Sequence, residues 1–129
     1  MFKLLFNYYS TISGGYRNTA SGSTSTIGGG YANKVYGPAS TIGGGECNTA
    51  SGSKSIIGGG YKNKICANGN YSSIVGGTGN TVDSSFSFIG GGSGNTNYNY
   101  STLSVIGGGS KNKICGKNNT NLSSYCSVI

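Results

Sequence analysis

Apolar residues are sparse in this chain, and their placement is periodic. Ile12, Ile27, Ile42, Ile57, Ile74, Ile89 and Ile106 are separated by 15, 15, 15, 17, 15 and 17 residues. Each has Ser two residues before it and a Gly pair two and three residues after it, from Gly14 and Gly15 to Gly108 and Gly109. Asn follows each Ile by six residues, at Asn18, Asn33, Asn48, Asn63, Asn80, Asn95 and Asn112. Two residues past Asn the position is small or β-branched, as in Ala20, Val35 and Ile65, except at Asn97. An eighth unit begins at Ser127, Val128 and Ile129. Such self-similarity at a fixed short period is the signature of a stacked-repeat architecture.

The Ser-x-Ile alternation has period two, so Ser and Ile share one face of a short strand. Units rich in Gly, Ser, Thr and Asn are poor helix formers. The Gly pair permits positive φ, and Asn tolerates the left-handed region and bonds its own backbone in turns. The segment around Asn supplies a second strand. Each unit therefore reads as strand, turn, strand, turn, and the chain as an all-β parallel β-solenoid of about seven 15–17-residue coils. Stacked at about 4.8 Å per coil, seven coils make a rod of roughly 30–35 Å. The Ile column is its spine and the Asn column a ladder of amide hydrogen bonds. The two extra residues of the longer units fall in the variable return, after Ile65 and Asn97, because insertions belong in loops on one side of a solenoid. Residues 1–9 are expected to be an N-terminal cap or degenerate coil, and residues 10–129 the repeat domain.

Composition sharpens this picture. Of 129 residues, 26 are Gly, each losing more backbone freedom on folding than any other residue type. With about one large apolar side chain inside per coil, burial falls short of the ordering cost. The fold then depends on dense backbone hydrogen bonding and on other chains. The residue before each anchor points away from the Ser/Ile side, and it becomes apolar toward the C-terminus at Ile56, Phe88, Val105 and Val128. An exposed apolar column of that kind predicts self-association.

Little chemistry is available. The chain has no His, the usual general base. Its two acids, Glu46 and Asp83, occupy different coils and different repeat positions, a poor arrangement for paired-carboxylate catalysis. A calcium-binding solenoid needs one Asp per short repeat, and this chain has one in total. Cys47, Cys66, Cys115 and Cys126 form no C-x-x-C pair and have no His to complete a zinc set. Cys66 and Cys115 stand three coils apart, roughly 14 Å by strand spacing, beyond the reach of a disulfide. Free thiols fit folding in a reducing compartment. No enzyme, cofactor or metal is expected. The terminal Cys126-Ser-Val-Ile fits a prenylation box, but the repeat register already accounts for three of its four residues. Sequons at Asn70, Asn99, Asn118 and Asn121 are those an Asn/Ser/Thr-rich chain produces by chance.

The formal charge is +7, from nine basic residues against two acids. The basic residues are dispersed and not gathered in runs, so nucleic acid is not an expected partner. Tyr16, Tyr31 and Tyr61 share one repeat position beside Arg17, Lys34 and Lys62. This strip either covers the rod's edge or stacks on sugars and contacts anionic glycans. No apolar run is long enough to span a bilayer, and the first nine residues do not read as a signal peptide.

The units Ser25-Thr-Ile-Gly-Gly-Gly-Tyr-Ala-Asn and Asn48-Thr-Ala-Ser-Gly resemble the head repeats of YadA-like trimeric autotransporter adhesins. They are also similar to repeats in fibre proteins of phages and large DNA viruses. The resemblance covers residues 10–129, without a membrane anchor or coiled-coil stalk. It implies a left-handed β-roll, three chains side by side, and attachment to a host or matrix surface. The expected role is thus a structural or adhesive fibre module on a virion or cell surface. Its partners would be itself as a homotrimer, a host-surface glycan or protein, or other structural proteins of a particle. Two alternatives are an ice- or crystal-surface binder, for which Thr11, Thr26 and Thr41 begin a flat column, and a polysaccharide-acting solenoid enzyme.

Overall fold

A computed structural model describes residues 3–5, 9–116 and 127–129. Of the expected cap, residues 1, 2 and 6–8 lie outside the described residues, as do Cys126 and the sequons at Asn118 and Asn121. Sixteen short strands alternate between two parallel sheets. The odd sheet holds β1 (Lys3–Leu5), β3 (Asn18–Ala20), β5 (Lys34–Val35), β7 (Thr49–Ala50), β9 (Lys64–Ile65), β11 (Thr81–Val82), β13 (Thr96–Asn97) and β15 (Lys113–Ile114). The even sheet holds β2 (Thr11–Ile12), β4 (Thr26–Ile27), β6 (Thr41–Ile42), β8 (Ile56–Ile57), β10 (Ser73–Ile74), β12 (Phe88–Ile89), β14 (Ser104–Ile106) and β16 (Ser127–Val128).

Each strand pairs with its counterpart one coil away, so equivalent residues stack. This is a β-solenoid of about seven turns, and none of the described residues is helical. A third ladder of single-residue parallel bridges runs between the sheets through Tyr16, Tyr31, Glu46, Tyr61, Thr78, Ser93 and Ser110. Strand β1 pairs with β3 in register, Leu5 opposite Ala20, in the place of the second strand of a preceding coil. Across the longer units the register holds, with Ile74 opposite Ile57 and Ile106 opposite Ile89. The surplus residues form turns in which Ala67, Asn68, Asn99 and Tyr100 are exposed.

The interior is one column-built core. Ile12, Ile27, Ile42, Ile57, Ile74, Ile89 and Ile106 face Ala20, Val35, Ala50, Ile65, Val82 and Ile114 across the coil, all buried. The Ser of Ser-x-Ile is buried beside them at Ser25, Ser40, Ser55, Ser72, Ser87 and Ser104. Its hydroxyl stitches coils together: Ser40 Oγ donates to Gly52 O at 2.8 Å and accepts from Ser55 N–H at 3.0 Å.

Asn18, Asn33, Asn48, Asn63, Asn80 and Asn95 are buried too, and Asn112 is half-buried. Their ladder differs from the expected stack of amide on amide. The Oδ1 of Asn48 accepts the main-chain N–H of Asn63 at 2.9 Å, while its Nδ2 donates to Gly44 O and Gly60 O at 3.1 and 2.9 Å. The side chain thus bonds main-chain groups in its own coil and the next, pairing the Asn63 N–H and Gly44 O and adding a second donor to Gly60 O, which also accepts from Glu46 N–H at 2.9 Å. Nor does Asn take the left-handed conformation. That falls on the residue before it, at Arg17, Ala32, Cys47, Lys62, Gly79, Gly94 and Lys111. A second left-handed corner lies three residues before the anchor, at Tyr9, Thr24, Ala39, Lys54, Tyr71, Phe86 and Leu103. At these corners the chain reverses its bonding direction, and Ala32 N–H donates back to Tyr16 O at 2.9 Å. The physical reason is closure. A 15-residue coil has to turn sharply between sheets, and positive φ supplies the bend even where the side chain makes it costly.

Candidate interaction surfaces

The outer face of the even sheet carries the column before the anchors. Ile56, Ser73 and Phe88 are in register, followed by Val105 and Val128. Ile56 and Phe88 are exposed and Val105 is half-buried, while the side chain of Val128 lies outside the described structure. The left-handed corner three residues before each anchor borders this face, and there the structure adds what the sequence reading missed. Tyr71, Phe86 and Leu103 form a second apolar column, and Val75 extends the patch past its own anchor. Together Ile56, Tyr71, Val75, Phe86, Phe88 and Leu103 are each 40–55% exposed. The Tyr71 and Phe86 rings stack with centroids 5.0 Å apart, and Lys54 Nζ sits 5.0 Å above Tyr71. The sequence signal was available: Tyr71, Phe86 and Leu103 share one repeat position, three residues before Ile74, Ile89 and Ile106.

The same face is different in the first three coils. There the two columns carry Thr11, Thr26 and Thr41, and Tyr9, Thr24 and Ala39. One wall of the rod is therefore polar at its N-terminal end and apolar at its C-terminal end.

The tyrosine strip lies on the third ladder, between the sheets. Tyr16 and Tyr31 stack at 5.9 Å, and Arg17 bridges them, its guanidinium 5.4 Å from the Tyr16 ring and its Nη1 3.2 Å from the Tyr31 hydroxyl. Glu46 intervenes in the ladder before Tyr61, which pairs instead with Lys62 at 4.8 Å. Hydrogen bonding to Tyr61 holds the Lys62 ammonium above its ordinary range. Lys34 is not part of this cluster. It stands on the outer face of the odd sheet, in register with Thr19 and Thr49.

Cys47, Cys66 and Cys115 are free thiols. Burial pushes the Cys66 thiol up, and the Asp83 carboxylate in the next coil adds to it, the reverse of what a reactive nucleophile needs. Among the described residues no three His, Cys, Asp or Glu side chains gather, and no helix is long and apolar enough to cross a membrane. One core position stands out: Asn97 is fully buried between Val82 and Ile114, and neither its Oδ1 nor its Nδ2 has a hydrogen-bond partner.

No protein-family model matches this chain, and no curated protein sequence matches it.

Proposed function

We propose that the chain is a structural and adhesive rod module of a virion or cell surface, without catalysis, that assembles as a homotrimer through the outer face of its even sheet. The observation that carries this reading is the apolar patch of Ile56, Tyr71, Val75, Phe86, Phe88 and Leu103. A monomer holding these side chains in water would forgo burial of roughly 25 cal/mol for every Å² they expose. Patches of this kind mark association sites. Three copies that turn the same wall to one axis bury it together, through heterologous contacts that close into a ring. The resemblance to trimeric adhesin heads supports three chains around one axis and a left-handed coil. Wall-to-wall contact between rods also supplies the apolar burial that a thin single-chain core lacks.

The test is sedimentation with circular dichroism on the purified chain. Phe88→Ser with Val105→Ser is expected to give monomer that is partly unfolded, and Phe86→Ser with Leu103→Ser to weaken assembly as well. Tyr31→Ser with Tyr61→Ser, on a different wall, is expected to leave the oligomer intact. A wild-type chain that is a stable, fully folded monomer at high concentration would refute the trimer.

A further inference from the structure

The wall opposite the apolar patch has its own chemistry. Along the outer face of the odd sheet one register row runs Thr19, Lys34, Thr49, Lys64, Thr81, Thr96 and Lys113, and all three lysines are exposed. The adjoining left-handed corner adds Arg17, Lys62 and Lys111, turned out to solvent by their positive φ. Six of the nine basic residues of the chain thus lie on one wall and its corner. The two acids flank these rows: Glu46 on the tyrosine ladder, close enough to act on the Lys62 ammonium, and Asp83 on the other border in the repeat position of Tyr36, where Asn68 Nδ2 donates to it at 3.2 Å. Among the described residues none of the six cations makes a salt bridge, and they outnumber the two flanking acids, so the wall keeps a net positive charge. Exposed tyrosines border it, Tyr16, Tyr31 and Tyr61 on one side and Tyr36 on the other.

We propose that this wall binds a linear anionic polysaccharide laid along the rod axis. The inference deepens the adhesive half of the reading above and does not depend on self-association. Charge sign alone would suit any polyanion, and spacing decides among them. Lys34 and Lys64 are two coils apart and Lys64 and Lys113 three, about 10 and 14 Å at the strand spacing. Nucleic-acid phosphates repeat about every 3.4 Å along a strand, so most would meet no cation here. A polysaccharide with an anion on every sugar or every second sugar is sparser and matches better. The bordering tyrosines offer an apolar ring face and a hydroxyl, as suits the C–H face and hydroxyls of a sugar. The threonines between the lysines supply small hydrogen-bonding groups without blocking the row.

The experiment measures retention of the full 129-residue chain on immobilised hyaluronan and chondroitin sulfate, with neutral dextran as reference, across a salt series. Wild type is expected to bind both anionic polymers and not dextran, with affinity falling as salt screens the charges. Replacing Lys34, Lys64 and Lys113 together by Ser is expected to weaken binding at least tenfold. Replacing them by Arg is expected to retain it, and Lys54→Ser, on the opposite wall, to leave it unchanged. Sedimentation of each variant separates loss of binding from loss of assembly. Binding no stronger than to dextran, or a triple Ser variant that binds like wild type, would overturn the proposal. So would single-stranded DNA that competes as well as chondroitin sulfate charge for charge.

Discussion

The main-chain N–H of Asn33 donates to the Oδ1 of Asn18 at 2.9 Å, across a gap of fifteen residues in sequence and one coil in space. The same bond recurs from Asn48 to Asn33, Asn63 to Asn48, Asn80 to Asn63, Asn95 to Asn80 and Asn112 to Asn95. The six from Asn18 to Asn95 are each at once acceptor for the next coil and double donor to glycine carbonyls, so the ladder ties turn to turn where the sheets are interrupted.

Removing one rung therefore costs more than one hydrogen bond. Asn48→Ala orphans the buried N–H of Asn63 and takes a donor from Gly44 O and Gly60 O. At roughly 1–3 kcal/mol for a buried unsatisfied group, the loss should be about 3 kcal/mol by urea unfolding. Asn48→Asp should be worse at neutral pH, since the new carboxylate would face two carbonyl oxygens. Burial and those oxygens raise its folded pKa above the unfolded value of about 3.9. The penalty is then absent below that value and grows as pH rises through it. An Asn48→Asp variant whose deficit relative to wild type is as large at about pH 4 as at about pH 7 would contradict this account of the ladder.

The two glycines of the pair Gly44 and Gly45 should respond unequally to substitution. Gly45 has φ +84°, and a Cβ there would collide with Gly60 O and lie 2.8 Å from Asn48 Nδ2, whereas a Cβ on Gly44 meets nothing within 4 Å. Gly45→Ala should cost at least about 2 kcal/mol from the left-handed conformation and the overlap together. Gly44→Ala should be within about 1 kcal/mol of wild type. Thermal melts of the two variants side by side provide the comparison, and equal losses would mean the stacking distance at this corner is wrong.

Asn97 is a site for stabilisation. Its amide is buried without partners in a column of Val, Ile and Ala, so Asn97→Val replaces a stranded polar group by a fitting apolar one. The gain expected is about 1–3 kcal/mol, read as a higher melting temperature with no change in circular dichroism. A lower melting temperature would show that the amide has a bonding role.

Alkylation should rank the thiols. Cys115 is exposed and Cys66 half-buried with its thiol pushed up by burial and Asp83, so at a given pH less of Cys66 is the reactive thiolate. Iodoacetamide followed by peptide mapping should label Cys115 first. Asp83→Asn should speed Cys66 at fixed pH, and denaturant should bring the two thiols together. An unchanged Cys66 rate in Asp83→Asn would remove the carboxylate from that explanation.

What the sequence determined by itself is whatever repeats. The spacing of Ile27, Ile42 and Ile57 defines a coil, and stacking identical coils puts like side chains above one another whatever the details of the turns. The parallel sheets, the buried Ile columns and the placement of surplus residues after Ile65 and Asn97 all follow from that local periodicity. Three matters were left to the tertiary structure. The left-handed corners fall on Arg17, Lys62 and Phe86 because closing the coil demands a bend at those positions, and no propensity of those residue types announces it. The rungs of the Asn ladder reach main-chain groups because the glycine turns bring carbonyls to the amide, a geometry that exists only once coils are stacked. The outer walls were legible in part: the column of Ile56, Phe88 and Val105 follows from the repeat, and the tertiary structure added the columns beside it. Tyr71, Phe86 and Leu103 are separated by 15 and 17 residues in the chain, as Lys34, Lys64 and Lys113 are by 30 and 49, and each set becomes a surface because register, a property of neighbouring coils, brings its members into one column.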